Sequence, residues 1–229
     1  MSSNFKTTTA TLITKIQNNG VVIVGVVDRD VTAVFVPAKI GGRKVVAFGD
    51  YAFADCSRLE SIIFEKGVAL TELGKSAFDG CASLKEFNAP VVQTAAPCAF
   101  YGCRSLESVN FSAGGLRWLG DHAFDGCARL KTALFSSGVQ GIGNFAFSRC
   151  RDLRALQFHA GLRYIGCSAF WGVHGLESFT APMSLASLDG TGLGLGRKHE
   201  EPNKLTLFGA PGSALEIYAR KHGFNFKAV

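Results

Sequence analysis

The sequence predicts a repeat solenoid of the α/β class, in which short parallel strands stack along one axis. Three observations predict it. An Ala-Phe-x-x-Cys-x-x-Leu core recurs along most of the 229 residues. Each core is followed by an alternating apolar pair of the kind a half-buried strand shows. Both ends depart from the repeat, as an open stack requires if its first and last core layers are to be covered.

Aligning on the Phe of each Ala-Phe pair gives Phe53, Phe78, Phe100, Phe124, Phe147 and Phe170, at spacings of 25, 22, 24, 23 and 23 residues. Three residues later stand Cys56, Cys81, Cys103, Cys127, Cys150 and then Val173. Six residues after the Phe stand Leu59, Leu84, Leu106, Leu130, Leu153 and Leu176. Nine and eleven residues after it come Ile62 and Phe64, Phe87 and Ala89, Val109 and Phe111, Ala133 and Phe135, Leu156 and Phe158, Phe179 and Ala181. Each unit therefore spells Leu-x-x-apolar-x-apolar, the leucine-rich-repeat pattern, whose apolar pair turns inward from a short strand. Four residues before the Phe a glycine recurs (Gly49, Gly74, Gly120, Gly143, Gly166), with Ala96 as the departure. A glycine there permits close backbone approach at a chain reversal.

The other elements fall into place around this register. Thr11 to Gln17 and Val21 to Val27 are β-rich runs joined by Asn18-Asn19-Gly20, which predicts a hairpin capping the N-terminal end. Val34 and Val36 fit the strand frame upstream of the first full unit, and Leu205 and Leu207 fit it downstream. The expectation is thus eight parallel strands. Asp189 to Lys204 has lost the signature and reads as a flexible polar loop. Ser213 and Glu216 have capping-box spacing, Leu215, Tyr218 and Ala219 share a helical face, and Gly223 ends the segment. That predicts a short C-terminal helix cap with Phe224 and Phe226 packing beyond it. The whole is one domain: cap 1–30, repeats 31–188, degenerate repeat and cap 189–229.

Composition agrees with a packed core, at 47% apolar and 18% charged residues. Of the net charge of +6, half lies beyond residue 196, where Arg197, Lys198, Lys204, Arg220, Lys221 and Lys227 outnumber Glu200, Glu201 and Glu216. Residues 1–9 lack the apolar core of a secretory signal, and no apolar run spans a bilayer. The expected location is cytoplasmic or another intracellular compartment. Seven cysteines are an odd number spread at repeat spacing, which reads as reduced thiols.

The series Gly-x-x-x-Phe-x-x-Cys-x-x-Leu-x-x-apolar-x-apolar, closed by Gly-Ser-x-x-Glu-x-Tyr-Ala-x-x-x-Gly-x-x-Phe, resembles the BspA-like leucine-rich repeat family over residues 20–229. The resemblance implies a curved, right-handed solenoid with a parallel β-sheet on the concave face, and a role in binding proteins. Members of that family include cell-surface adhesins, which would place the chain at the cell surface.

Candidate chemistry is sparse. The cysteine column reads as core packing, since Val173 fills it without a thiol, and Cys98 and Cys167 fall outside it, where partial exposure is expected. Cys167 with His174, or Cys127 with His122, follows the repeat and not a zinc-ligand spacing. Gly190, Gly192, Gly194 and Gly196 lack the phosphate-loop pattern. Asp55, Asp79, Asp125 and Asp152 suit hydrogen bonding within the turns. No catalytic residue, cofactor or metal site is expected, and the chain reads as a non-enzyme.

The outward strand positions, eight, ten and twelve residues after each Phe, are small, polar and nearly uncharged, which argues against nucleic acid and for a protein partner. The candidate contacts on the concave face are Phe35, Ile63, Asn88, Asn110, Thr132, Leu134, Gln157 and His159, with Phe35, Ile63 and Leu134 as apolar anchors. The leading expectation is a protein-interaction scaffold, as a subunit of a larger assembly. The alternatives are a surface adhesin, or a binder of RNA or anionic surfaces through the basic C-terminal end.

Overall fold

Each coil of the chain contributes to three hydrogen-bonded stacks, so the molecule is a β-solenoid whose coils are tied together on every side. A computed structural model describes residues 10–17, 20–89, 91–156, 158–193 and 205–229. The coil after Leu106 illustrates the plan. Strand Ser108–Phe111 pairs in parallel with Glu86–Asn88 and with Thr132–Phe135, one coil away on either side. A turn leads to the two-residue strand Trp118–Leu119, paired with Thr94–Ala95 and Gly141–Ile142. The Ala-Phe segment then closes the coil, with Phe124 N donating to Ala146 O (2.7 Å) and Gly126 N to Ser148 O (2.9 Å) on the next.

The Leu-x-x-apolar-x-apolar segments form parallel strands as their alternation predicts, and Val109, Phe111, Ala133 and Phe135 are buried. They do not form one continuous eight-stranded sheet. That side is divided into sheets of two strands (Ala33–Val36, Ser61–Phe64), four (Glu86–Asn88 to Ala155–Leu156) and three (Ser178–Thr180, Thr206–Gly209, Asn225–Ala228). The longest sheet is a second ladder of ten strands that the strand pattern does not reveal. Hairpin Leu12–Gln17 and Gly20–Val26 begins it, antiparallel as expected, although Asn18 and Asn19 lie outside the described residues. Arg43–Phe48 and six two-residue strands, the last being Ser187–Leu188, continue it in parallel, and the tenth strand, Lys39–Ile40, pairs antiparallel with Arg43–Phe48 off this path. Most of the two-residue strands end on one inward apolar residue immediately before the glycine column, such as Leu73, Leu119, Ile142 and Ile165. A strand of two residues has too little length to show a period, so only that single column marks it.

The core follows the sequence register. Phe53, Phe78, Phe100, Phe124, Phe147 and Phe170 stack face to face, with centroids 5.1 to 5.4 Å apart and planes within 13°. Offset stacking of this kind adds to simple area burial. The cysteines do more than fill space. Sγ of Cys81, Cys103, Cys127 and Cys150 each donates, at 3.1 Å, to the carbonyl of the Phe in the preceding coil. The glycine column exists for proximity: a Cβ on Gly120 would stand 2.5 Å from Pro97 N.

Left-handed backbone falls at two other positions: two residues before each Phe, where Tyr51, Ser76, Cys98, His122, Phe145 and Ser168 all adopt it, and two residues after, where Gly80, Gly102, Gly126 and Gly172 alternate with Asp55 (φ 59) and Arg149 (φ 60). A side chain in that region costs about 1–2 kcal/mol. Replacing the exposed Asp55 by Gly is therefore expected to raise stability by about 1 kcal/mol, less the chain entropy glycine adds to the unfolded state, read as a higher urea midpoint. An unchanged or lower midpoint would contradict this account of the turn.

Helix Ala214–His222 has the predicted terminators: Ser213 accepts from Glu216 N, and Gly223 adopts φ 73. Leu215, Tyr218 and Ala219 form its buried face. The helix is not the last element, however. Strand Asn225–Ala228 follows it and pairs in parallel with Thr206–Gly209. The helix thus stands between neighbouring strands, where other coils carry the Ala-Phe turn. Of the predicted polar loop, residues 194–204 lie outside the described residues.

Candidate functional site

The register of the strands decides which predicted contact residues are neighbours. Phe35 pairs with Ile63, and the two side chains are 42% and 47% exposed. Asn88, Asn110 and Leu134 occupy successive rungs of the four-stranded sheet, with Leu134 49% exposed. Thr132 starts the same strand as Leu134 and is exposed. The structure therefore brings the set together as two groups on separate sheets. His159 is exposed beyond the end of its strand, and Gln157 lies outside the described residues. Asn110 already has work: its Oδ1 accepts from Ser112 N (2.9 Å) and from Ser112 Oγ (2.6 Å), closing the turn at the strand end.

One column of this face is missed by the repeat pattern. Seven residues after each Phe stand Glu60, Lys85, Glu107, Lys131, Arg154 and Glu177, all exposed. Lys85 Nζ lies 2.6 Å from Glu60, and Lys131 Nζ 2.8 Å from Glu107. The lysine hydrogen bonds draw both glutamate pKa values below the usual carboxylate range. Such exposed pairs contribute little stability. They do give a nearly uncharged strand face a charged rim, beside a shallow depression of about 450 Å³ lined by Glu60, Ser61, Lys85, Glu86, Glu107 and Ser108. The signal is present at a single repeat position, outside the columns expected to face outward.

On the Ala-Phe side, Asp125 is buried at 3% exposure and bonds across coils as well as within its turn. It accepts from Arg149 Nε (2.9 Å), and its other oxygen lies 2.9 Å from His122 Nδ1. Arg149 also reaches Tyr101 OH (3.4 Å), and its pKa is raised, chiefly by the hydrogen bond to Asp125. Phe145 stacks on the His122 imidazole at 4.9 Å. The carboxylate is fully engaged in tying coils together. Burial pushes the Cys81, Cys103, Cys127 and Cys150 thiols up, the opposite of what a nucleophile requires. Cys98 is half-buried and Cys167 exposed, as expected from their place outside the column. Among the described residues no three His, Cys, Asp or Glu side chains gather as metal ligands. The basic C-terminal end is partly occupied, since Arg220 bonds Glu216 (2.8 Å) and Lys227 lies 5.9 Å over the Phe208 ring. Arg197, Lys198 and Lys204 lie outside the described residues.

The sequence pattern of the BspA type leucine rich repeat region, in six copies, matches residues 39–112 and 71–191. The chain belongs to this BspA-type leucine-rich repeat family. Its fold is similar to that of the T. pallidum leucine-rich repeat protein TpLRR, with TM-score 0.53, 20% identity, and coverage of 94% of this chain and 95% of that one. It is also similar to a leucine rich cell surface protein of Faecalibacterium prausnitzii, with TM-score 0.58, 16% identity, and coverage of 90% and 72%. Identities this low show the fold alone. No curated protein sequence is significantly similar to the chain. BspA-type repeats generally belong to protein-interaction or surface proteins. In this BspA-type chain, the Phe, Cys, Leu and Gly columns are committed to packing, and the exposed side chains stand at the positions between them. Among the described residues no helix is long and apolar enough to cross a membrane.

Proposed function

We propose that the chain is a non-enzymatic scaffold that binds a protein partner on the strand face, taken as concave, through Phe35, Ile63, Asn88, Asn110, Thr132, Leu134, Gln157 and His159. The observation that carries this reading is the presence of three exposed large apolar side chains, Phe35, Ile63 and Leu134, among polar neighbours. Apolar anchors ringed by polar groups are the usual energetic centres of protein interfaces. The charged rim of Glu60, Lys85, Glu107 and Lys131 would set orientation and association rate more than affinity.

A photo-crosslinker placed at Thr132 tests the proposal in cells. It is expected to form one dominant protein adduct, lost when Leu134→Arg or Ile63→Glu is added and the melting temperature stays within about 2 °C. Adduct formation indifferent to both changes would exclude this face. A second reading, a surface adhesin, draws on the surface proteins of the family and on the F. prausnitzii protein named above. Labelling of the native protein on intact, unpermeabilised cells separates it from an intracellular scaffold.

A further inference from the structure

The ten-stranded ladder carries a feature that the protein-binding reading does not use. Its rungs pair Trp118 with Gly141 and Gly141 with Tyr164. A Cβ on Gly141 would overlap the benzo edge of Trp118 at Cζ3, Cε3 and Cη2, so the indole lies across the space above this glycine. Gly141 does not have a positive φ, so its backbone does not need glycine. The ring does. Beyond the glycine, Trp118 meets Tyr164 in an offset stack, with centroids 5.7 Å apart and planes at 13°. Tyr164 is held by its hydroxyl, which donates to Asp189 Oδ2 at 2.9 Å. Trp118 remains 45% exposed. Two aromatic rings and a glycine gap thus make a flat shelf, restricted to these three rungs because the flanking ones carry Thr94 and Ser187.

The shelf has polar borders of opposite character. Arg117, Gln140 and Arg163 stand one residue before it on successive coils, joined by backbone bonds of 2.8 Å, and all three are exposed. Neither arginine has an ion-pair partner among the described residues. Two strand steps separate them by ~10 Å. Asp189 borders the other side, beyond Asp121, whose carboxylate already accepts from Asn144 N (2.8 Å) and Nδ2 (3.3 Å).

We propose that this shelf binds an acidic polysaccharide with a carboxylate on alternate sugars. The flat C–H face of a pyranose packs on the aromatic surface, as an apolar body with polar edges. The two guanidinium forks take successive carboxylates, which suits their planar bidentate geometry. Asp189, whose Oδ2 holds Tyr164, accepts from a sugar hydroxyl through its other oxygen. Asp121 and Asp189 disfavour a nucleic acid, whose charges recur at every phosphate and call for a continuous basic track.

The test uses the full chain with Trp171→Phe, which leaves Trp118 as the sole indole of the two in the sequence. The probes are a hyaluronan oligosaccharide, an uncharged chito-oligosaccharide and an oligothymidylate of matched length. Hyaluronan is expected to change Trp118 emission saturably and to bind at least about tenfold more tightly than the chito-oligosaccharide. By calorimetry, Trp118→Ala is expected to weaken hyaluronan binding by about tenfold or more with unchanged melting. Gly141→Ala, which keeps every polar group but displaces the indole, should weaken it similarly. Arg163→Gln should remove most of the preference over the uncharged sugar. No saturable change, equal affinity for the uncharged sugar, tighter binding of oligothymidylate, or full affinity in Trp118→Ala would each overturn the proposal.

Discussion

Phe124→Ala is expected to lower the stability of the solenoid by about 3–5 kcal/mol. Phe124 is fully buried and lies in the interior of the phenylalanine stack, 5.2 Å from Phe100 and 5.3 Å from Phe147. Removing it deletes both stacking contacts and leaves a cavity that neighbouring coils cannot close, because the backbone bonds of the Ala-Phe side hold their spacing. In a repeat array each coil touches only its neighbours, so a weak central layer divides the cooperative unit. Equilibrium urea unfolding followed by circular dichroism and by tryptophan emission should give separated transitions, where the parent gives one. The comparison is Phe170→Ala near the end of the stack, whose only partner within the column is Phe147. It is expected to cost less. Equal losses at both positions would show that the column does not act as a stack of coupled layers.

Alkaline pH should unfold the protein steeply. Burial raises the pKa values of Cys81, Cys103, Cys127 and Cys150, while in the unfolded chain each thiol titrates near 8.5. Above that pH the folded state retains protons that the unfolded state has released, so stability falls as pH rises. Each thiol contributes about 1.4 kcal/mol per pH unit, and four acting together would exhaust a stability of ~5–15 kcal/mol within a few pH units. Below pH 8 the thiols should leave stability independent of pH. Cys127→Val, which copies the side chain that Val173 places at this position in the sixth unit, should reduce the alkaline slope by about one thiol's share, with a small cost at pH 7 for the lost bond to Phe100 O. A slope identical in parent and variant would locate the alkaline sensitivity elsewhere.

Much of the architecture is legible in the sequence because a solenoid repeats its solution. Six copies of one pattern make the inward columns stand out: spacing alone assigns Phe124, Cys127 and Leu130 to the core, and all three are fully buried. The helix is legible because its terminators are local, with Ser213, Glu216 and Gly223 acting within a turn of the backbone. The strand Asn225–Ala228 beyond it is not, since Phe224 and Phe226 lack the repeat frame and their partner strand is identified only by pairing. The charged column from Glu60 to Glu177 is readable at one repeat position. Its significance depends on seeing that position reach the rim of the face.

The sequence by itself determined the repeat register, the inward columns and the parallel course of the main strands. Each follows from an apolar pattern that recurs in six units at one register. Only the tertiary structure decided that a ten-stranded ladder of mostly two-residue strands runs beside them, and that Phe35 meets Ile63 on a separate sheet from Leu134. It alone placed Trp118 across Gly141 against Tyr164. These are contacts between coils, made by residues about one repeat apart in sequence. The small offsets in coil length and register that set them leave no mark in the pattern of a single repeat.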